Sequence, residues 1–177
     1  MVRRLTLGLI GAGEVAQRIH LPILRQLSDR FDVVSIYDPS PSVAQAVGRH
    51  WGVPHIHTDI ENFFADRVFD AVIILSPDQY HAEHARKAFA AGLHVFLEKP
   101  ACLTEAEFRP LNEDFERTDR VGMVGYMRCY APAFQKARAI LPELGPVRHV
   151  RIRDVICEGP WFFGQVTPVV VPDGDIR

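Results

Sequence analysis

Short apolar runs separated by stretches of helical period limit the fold open to this chain more than any other feature. Leu5–Ile10, Phe31–Tyr37, His55–His57, Ala71–Leu75, His94–Leu97 and Val121–Val124 read as strands. The intervening segments carry helix signals. A helical pattern runs from Glu14 to about Leu27, and Ser40 and Pro41 stand as N-cap and first residue of the next helix. Further helices are expected at Asp59–Asp66 and at Asp78–Ala91, the latter closed by Gly92. Thr104–Glu107, "TEAE", has capping-box spacing and opens a helix to about Thr118. Strands alternating with helices of this length predict parallel βαβ units with right-handed crossovers, an α/β doubly wound parallel sheet.

The pattern changes after Gly125. "GYMRCYAPAF" is aromatic and irregular, Pro132–Leu141 reads as a helix, and Gly145-Pro146 as a turn. Val147–Val155 alternates residue by residue, which predicts a strand with one polar-leaning face. The expected organisation is a first domain over 1–125 and, over 126–177, the start of a second α/β domain. An unpaired Val147–Val155 edge would need covering, which predicts a homo-oligomer joined through the second-domain sheet.

Composition serves mainly to exclude. The 177 residues are 24% charged with a formal net charge of −2, and no basic run offers a nucleic-acid surface. No apolar span of membrane length occurs, and "MVRRLTLGLIGAGE" runs into a glycine turn without a cleavage site, so no membrane partner and a cytoplasmic location are expected. Cys102, Cys129 and Cys157 match no zinc or redox spacing and fit a reduced intracellular protein.

"GLIGAGEVA" holds Gly11, Gly13 and Ala16 as G-x-G-x-x-A between the first strand and first helix, the context that gives the pattern meaning. Gly11 permits a tight turn, Gly13 lets backbone approach a pyrophosphate, and Glu14 and Val15 open the helix whose N-terminus faces the anion. Asp38 ends the second strand 25 residues after Gly13, where a carboxylate accepts hydrogen bonds from ribose hydroxyls and repels a 2′-phosphate. The expected cofactor is NAD, with NADP still possible because Ser40 could tolerate a phosphate. Ser76 and Pro77 fall at the carboxyl end of the fourth strand, beside the crevice, and His81 in the following turn could face it. His84 reads as a helix-surface residue. The His81/His84 spacing lacks a third ligand and the H-E-x-x-H pattern, so no metal is expected, and His55 and His57 are expected to be structural. Tyr126 and Arg128 could reach a substrate or pack at the domain boundary.

The segments "GLIGAGEVAQRIHLPIL", "SPDQYHAEHARKAFAAGLHVFLEKP" and "GYMRCYAPAF" together resemble the Gfo/Idh/MocA oxidoreductases, relatives of glucose-fructose oxidoreductase and inositol dehydrogenase, over residues 5 to 155. The resemblance implies a Rossmann-type domain, a nicotinamide dinucleotide at the glycine turn, and a sugar, cyclitol or other polyol-like substrate. It places Lys99, of the E-K-P segment, near the nicotinamide and the reacting hydroxyl carbon. Family enzymes carry a second domain with an Asp followed four residues later by a His. Here the one histidine after His94 is His149, with Gly145 four residues before it, so that motif is absent.

"LHVFLEKP" ends a buried strand on charge because ligands in open parallel sheets bind beyond the strands' carboxyl ends. Pro100 biases Lys99 toward extended backbone and stops the ladder. Glu98 and Lys99, adjacent on a strand, should point to opposite sides, with Glu98 lining the cofactor site. Arg outnumbers Lys 17 to 3, and Lys99 is an amine where chemistry needs a group able to lose a proton. Beside a cationic nicotinamide such a lysine is expected to relay the hydroxyl proton. The alternative is a catalytically idle dinucleotide-binding module, or a subunit that a partner chain completes.

Overall fold

The computed structural model describes residues 3–153 and 168–174. Six parallel strands form one sheet: β1 (Leu5–Ile10), β2 (Phe31–Tyr37), β3 (His55–His57), β4 (Ala71–Ile74), β5 (His94–Leu97) and β6 (Gly122–Val124). Their order is β3-β2-β1-β4-β5-β6, the doubly wound arrangement whose strand order reverses between β1 and β4. The expected α/β Rossmann-type fold is present.

Helices cover both faces. α1 (Leu21–Gln26) continues from a π-type turn over Ala16–His20, and α2 (Pro41–Trp51) follows β2. These two pack with Leu7, Leu9, Ala16, Ile36, Val43, Val47 and Ile73 in one core layer. α3 (Ile60–Asp66), α4 (His81–Ala90) and α5 (Glu105–Glu116) close the other, where Ile10, Phe63, Val72, Ile74, Ala85, Phe89 and Leu97 are buried. A sheet buried on both faces explains why β4 reads as an unbroken apolar run.

The local signals form as written. Ser40 Oγ accepts from Val43 N–H with Pro41 at the first helical position. Gly92 takes a φ of 73° just past α4, and Thr104 and Glu107 close a reciprocal capping box.

The chain divides into two compact units, Tyr126–Gln165 being the second. Its described part holds α6 (Pro132–Ile140) between two short 3₁₀ turns, with no buried residue from Tyr126 to Arg153. Residues 147–153, expected to be a strand, form none. Alternation supplies an amphipathic ribbon but no partner, and a strand exists only when a neighbour takes its hydrogen bonds. Asp154 and Val155 lie outside the described residues. The expected self-association through this strand therefore has no described sheet edge to rest on. Residues 168–174, assigned from sequence to the second domain, group with the first unit.

Candidate functional site

The crevice is built where β1 and β4 part. Gly11 follows β1 with φ +95°, and its N–H donates to Tyr37 O at 2.8 Å. A Cβ at Gly11 would stand 2.8 Å from the Leu75 carbonyl carbon and oxygen and 2.9 Å from Ser76 N, so both conformation and space demand glycine. Gly13 differs: nothing lies within 4 Å of where its Cβ would be. Gly13, Glu14 and Val15 are exposed at the start of the helix, whose first N–H groups have no intrahelical acceptor. An open glycine beside free helix N–H groups fits a pyrophosphate, and these residues would hold it.

Asp38 is 7% exposed and ties this turn together. Oδ2 accepts from Ala12 N–H and Oδ1 from Ser40 N–H, each at 2.9 Å. A carboxylate has about four lone-pair positions, so these two bonds leave two for further donors. Asp38 N–H in turn donates to the carbonyl of His57 at 3.2 Å. Gln17 braces the same turn from the helix. Its Nε2 donates to Ala12 O at 2.8 Å and to Val170 O at 2.9 Å, while Oε1 accepts from Val170 N–H at 2.9 Å.

The β4 exit is fixed by two histidines, neither of which faces solvent. His81 is 1% exposed, with Nε2 2.7 Å from the Ser76 carbonyl oxygen and Nδ1 2.6 Å from the Pro100 carbonyl oxygen. Its ring turns inward instead of into the crevice and couples the β4 exit to the β5 exit. His84, expected on the helix surface, is buried, with Nδ1 2.9 Å from Ser76 Oγ and its ring stacked on Tyr80. The first turn of α4 lies against the Ser76 loop, so a position that faces outward on an isolated helix is covered here. Burial pushes the His84 imidazole down to about 4, which leaves it neutral and able to accept from the serine. Ser76 is thereby occupied at both oxygens and buried, while Pro77 is exposed at the crevice lip.

At the end of β5, the Glu98 carboxylate turns to His20 and to the Lys99 backbone. Glu98 Oε1 lies 2.9 Å from His20 Nε2, and Oε2 accepts Lys99 N–H at 3.1 Å. The Lys99 side chain is exposed and makes no ion pair among the described residues. The Lys99–Pro100 peptide is cis. His20 was missed from sequence, although it stands four residues after Ala16 and so shares the helix face that meets the sheet. Tyr126 and Arg128 belong to the second unit; Tyr126 is exposed.

Fold and site together define a dinucleotide-binding domain of the doubly wound class, with an exposed lysine just past the carboxyl end of β5. Residues 5–126 match the model of the Gfo/Idh/MocA family, described as an oxidoreductase family with an NAD-binding Rossmann fold, and the chain belongs to that family. A protein named provisionally as the UDP-kanosamine synthase oxidoreductase subunit of Amycolatopsis mediterranei is 35% identical over 86% of this chain and 43% of its own length. The 4-carboxy-2-hydroxymuconate-6-semialdehyde dehydrogenase of a Sphingobium strain is 33% identical over 73% of this chain and 40% of its own. An oxidoreductase structure from Thermotoga maritima superposes with a TM-score of 0.75 at 26% identity, covering 80% of this chain and 44% of that one. The chain thus spans about two-fifths of the length of the curated relatives it matches.

Proposed function

We propose that this chain carries the dinucleotide-binding part of an NAD-dependent oxidoreductase, moving a hydride between nicotinamide and a hydroxyl or carbonyl carbon of a sugar, cyclitol or related compound, with Lys99 as proton relay. The observation that carries the reading is Lys99 itself: exposed at the carboxyl end of β5, without an ion-pair partner among the described residues, its backbone held by a glutamate that His20 fixes. The activities of relatives, among them a D-glucoside 3-dehydrogenase and a scyllo-inositol 2-dehydrogenase, support the substrate class.

When bound, the cofactor supplies the hydride chemistry. The chain's residues do the rest. Gly13, Glu14 and Val15 receive the pyrophosphate at the helix start, and the remaining Asp38 lone pairs accept from the ribose. That carboxylate repels a 2′-phosphate, which favours NAD over NADP. Pro77 borders the crevice, while Ser76 and His81 hold its wall. Lys99 Nζ, desolvated once the site is filled, accepts the substrate hydroxyl proton as hydride leaves the carbon, and returns it in the reverse direction.

A second reading, an idle dinucleotide-binding module or a subunit completed by a partner, is favoured by the second unit, whose described residues form helices and turns but no sheet. One set of measurements separates the two. NADH should bind, more tightly than NADPH, by fluorescence titration, and the chain should turn over with some member of a polyol and sugar panel. Lys99→Ala should leave NADH binding within about threefold and lower turnover by at least about 100-fold. Folded protein that binds no NADH sinks both readings. NADH binding without turnover leaves the idle module, and unchanged turnover in the variant removes Lys99 from the chemistry.

A further inference from the structure

β3 is the edge strand on the side of the sheet away from β5 and Lys99. His55 and His57, two residues apart on it, project from the same face. Asp66, the last residue of α3, stands against both: its Oδ2 is 2.9 Å from His55 Nδ1 and 3.2 Å from His57 Nε2. One donor atom from each of the three residues lies within 4.8 Å of the others. A tetrahedral ion with bonds of about 2.1 Å spaces its donors about 3.4 Å apart, so the triad is close to assembled: the carboxylate oxygen need only draw back slightly from each imidazole. His55 is the most exposed of the three side chains and has room to adjust with it.

Two observations set this cluster apart from an ordinary histidine–aspartate pair. His57 Nε2 is shielded from solvent yet makes no hydrogen bond of acceptable angle, so its approach to the carboxylate is proximity alone. A buried polar nitrogen left in that state costs about 1–3 kcal/mol, and ligation would remove the penalty. The ring is also held in place: it meets the fully buried Phe63 edge-on, centroids 5.8 Å apart. Fixed imidazole, shared carboxylate and exposed imidazole form a rigid-to-mobile set that receives an ion from the solvent side.

The donor chemistry selects the ion. Two imidazole nitrogens and one carboxylate oxygen suit a borderline transition metal, whereas magnesium and calcium want oxygen ligands throughout. We propose that His55, His57 and Asp66 form a three-ligand site for a divalent transition-metal ion, zinc being the natural occupant, with the remaining coordination position open to water. Such an ion would clip the edge strand to the end of α3. It would also hold β3 through His57, whose carbonyl receives the Asp38 N–H. The site lies apart from the β1/β4 crevice and is independent of the catalytic reading above.

The test uses metal-free protein with its thiols alkylated, so that Cys102, Cys129 and Cys157 cannot ligate. Titration calorimetry with zinc chloride should show one ion per chain and a raised melting temperature. His55→Ala and Asp66→Asn, both at accessible positions, should each weaken binding by at least about 100-fold with an unchanged circular dichroism spectrum. On the unsubstituted chain, the imidazole ¹⁵N resonances of His55 and His57 should shift on zinc addition. Absence of saturable binding, wild-type affinity in both variants, or unshifted His55 and His57 resonances would each overturn the proposal.

Discussion

His84 shows how burial turns one side chain into a pH liability. It accepts from Ser76 as a neutral ring, and protonation would cost both that hydrogen bond and the desolvation of a charge. The ring's ordinary value is 6.5, and burial holds it near 4 in the folded chain. Between those values the unfolded chain binds the extra proton, so the stability present above pH 6.5 drains away as the pH falls toward 4. The loss from this group is at most about 3 kcal/mol, a ceiling that residual hydration lowers. Urea unfolding at pH 7 and pH 4.5 should show a smaller acid loss in His84→Gln than in the parent; equal losses would mean that His84 does not drive the change. At this scale sequence reading is uneven. Gly11, Gly13, Asp38 and Lys99 stand where their local chemistry placed them, because a turn, a strand end and a proline are properties of adjacent residues. His81 and His84 did not, because their partners, Ser76 and Pro100, are set by how α4 lies over two strand exits.

Elements were legible where their signals are local. Six strands and all six expected helices form within a few residues of expectation, and the caps at Ser40, Asp59 and Thr104 act through their own side chains. At the start of α5, Glu107 N–H donates to Thr104 Oγ1 while the Glu107 carboxylate accepts from Leu103 and Thr104 N–H. Thr104→Ala removes the first of these bonds and keeps the others. It should therefore cost about 1 kcal/mol, read as a lower urea midpoint with unchanged slope. No loss would show that the carboxylate alone satisfies the helix end. The expected strand at Val147–Val155 marks the limit. Its alternation is as regular as that of any strand in the chain, but pairing is non-local, and residues 147–153 pair with no strand among the described residues.

Among the described residues of the whole molecule, burial is concentrated in the first unit. The sheet buries two apolar layers, whereas Tyr126 to Arg153 bury nothing, and Phe134, Leu141 and Leu144 remain exposed. A helix without a packed face has little to hold it closed. Hydrogen exchange should accordingly leave the β1 and β4 amides protected while those of α6 exchange far faster; equal protection would reveal contacts beyond the described residues. A different consequence follows from Gln17, whose amide reaches both Ala12 in the glycine turn and Val170 near the chain's end. Cutting the gene back after Gly125, the obvious shortening for isolating the cofactor-binding half, deletes a clamp from the cofactor turn together with the tail. The shortened product would report on a looser turn than the one nature encodes, and any comparison of its NADH affinity with that of the parent would carry the missing clamp along with the missing unit.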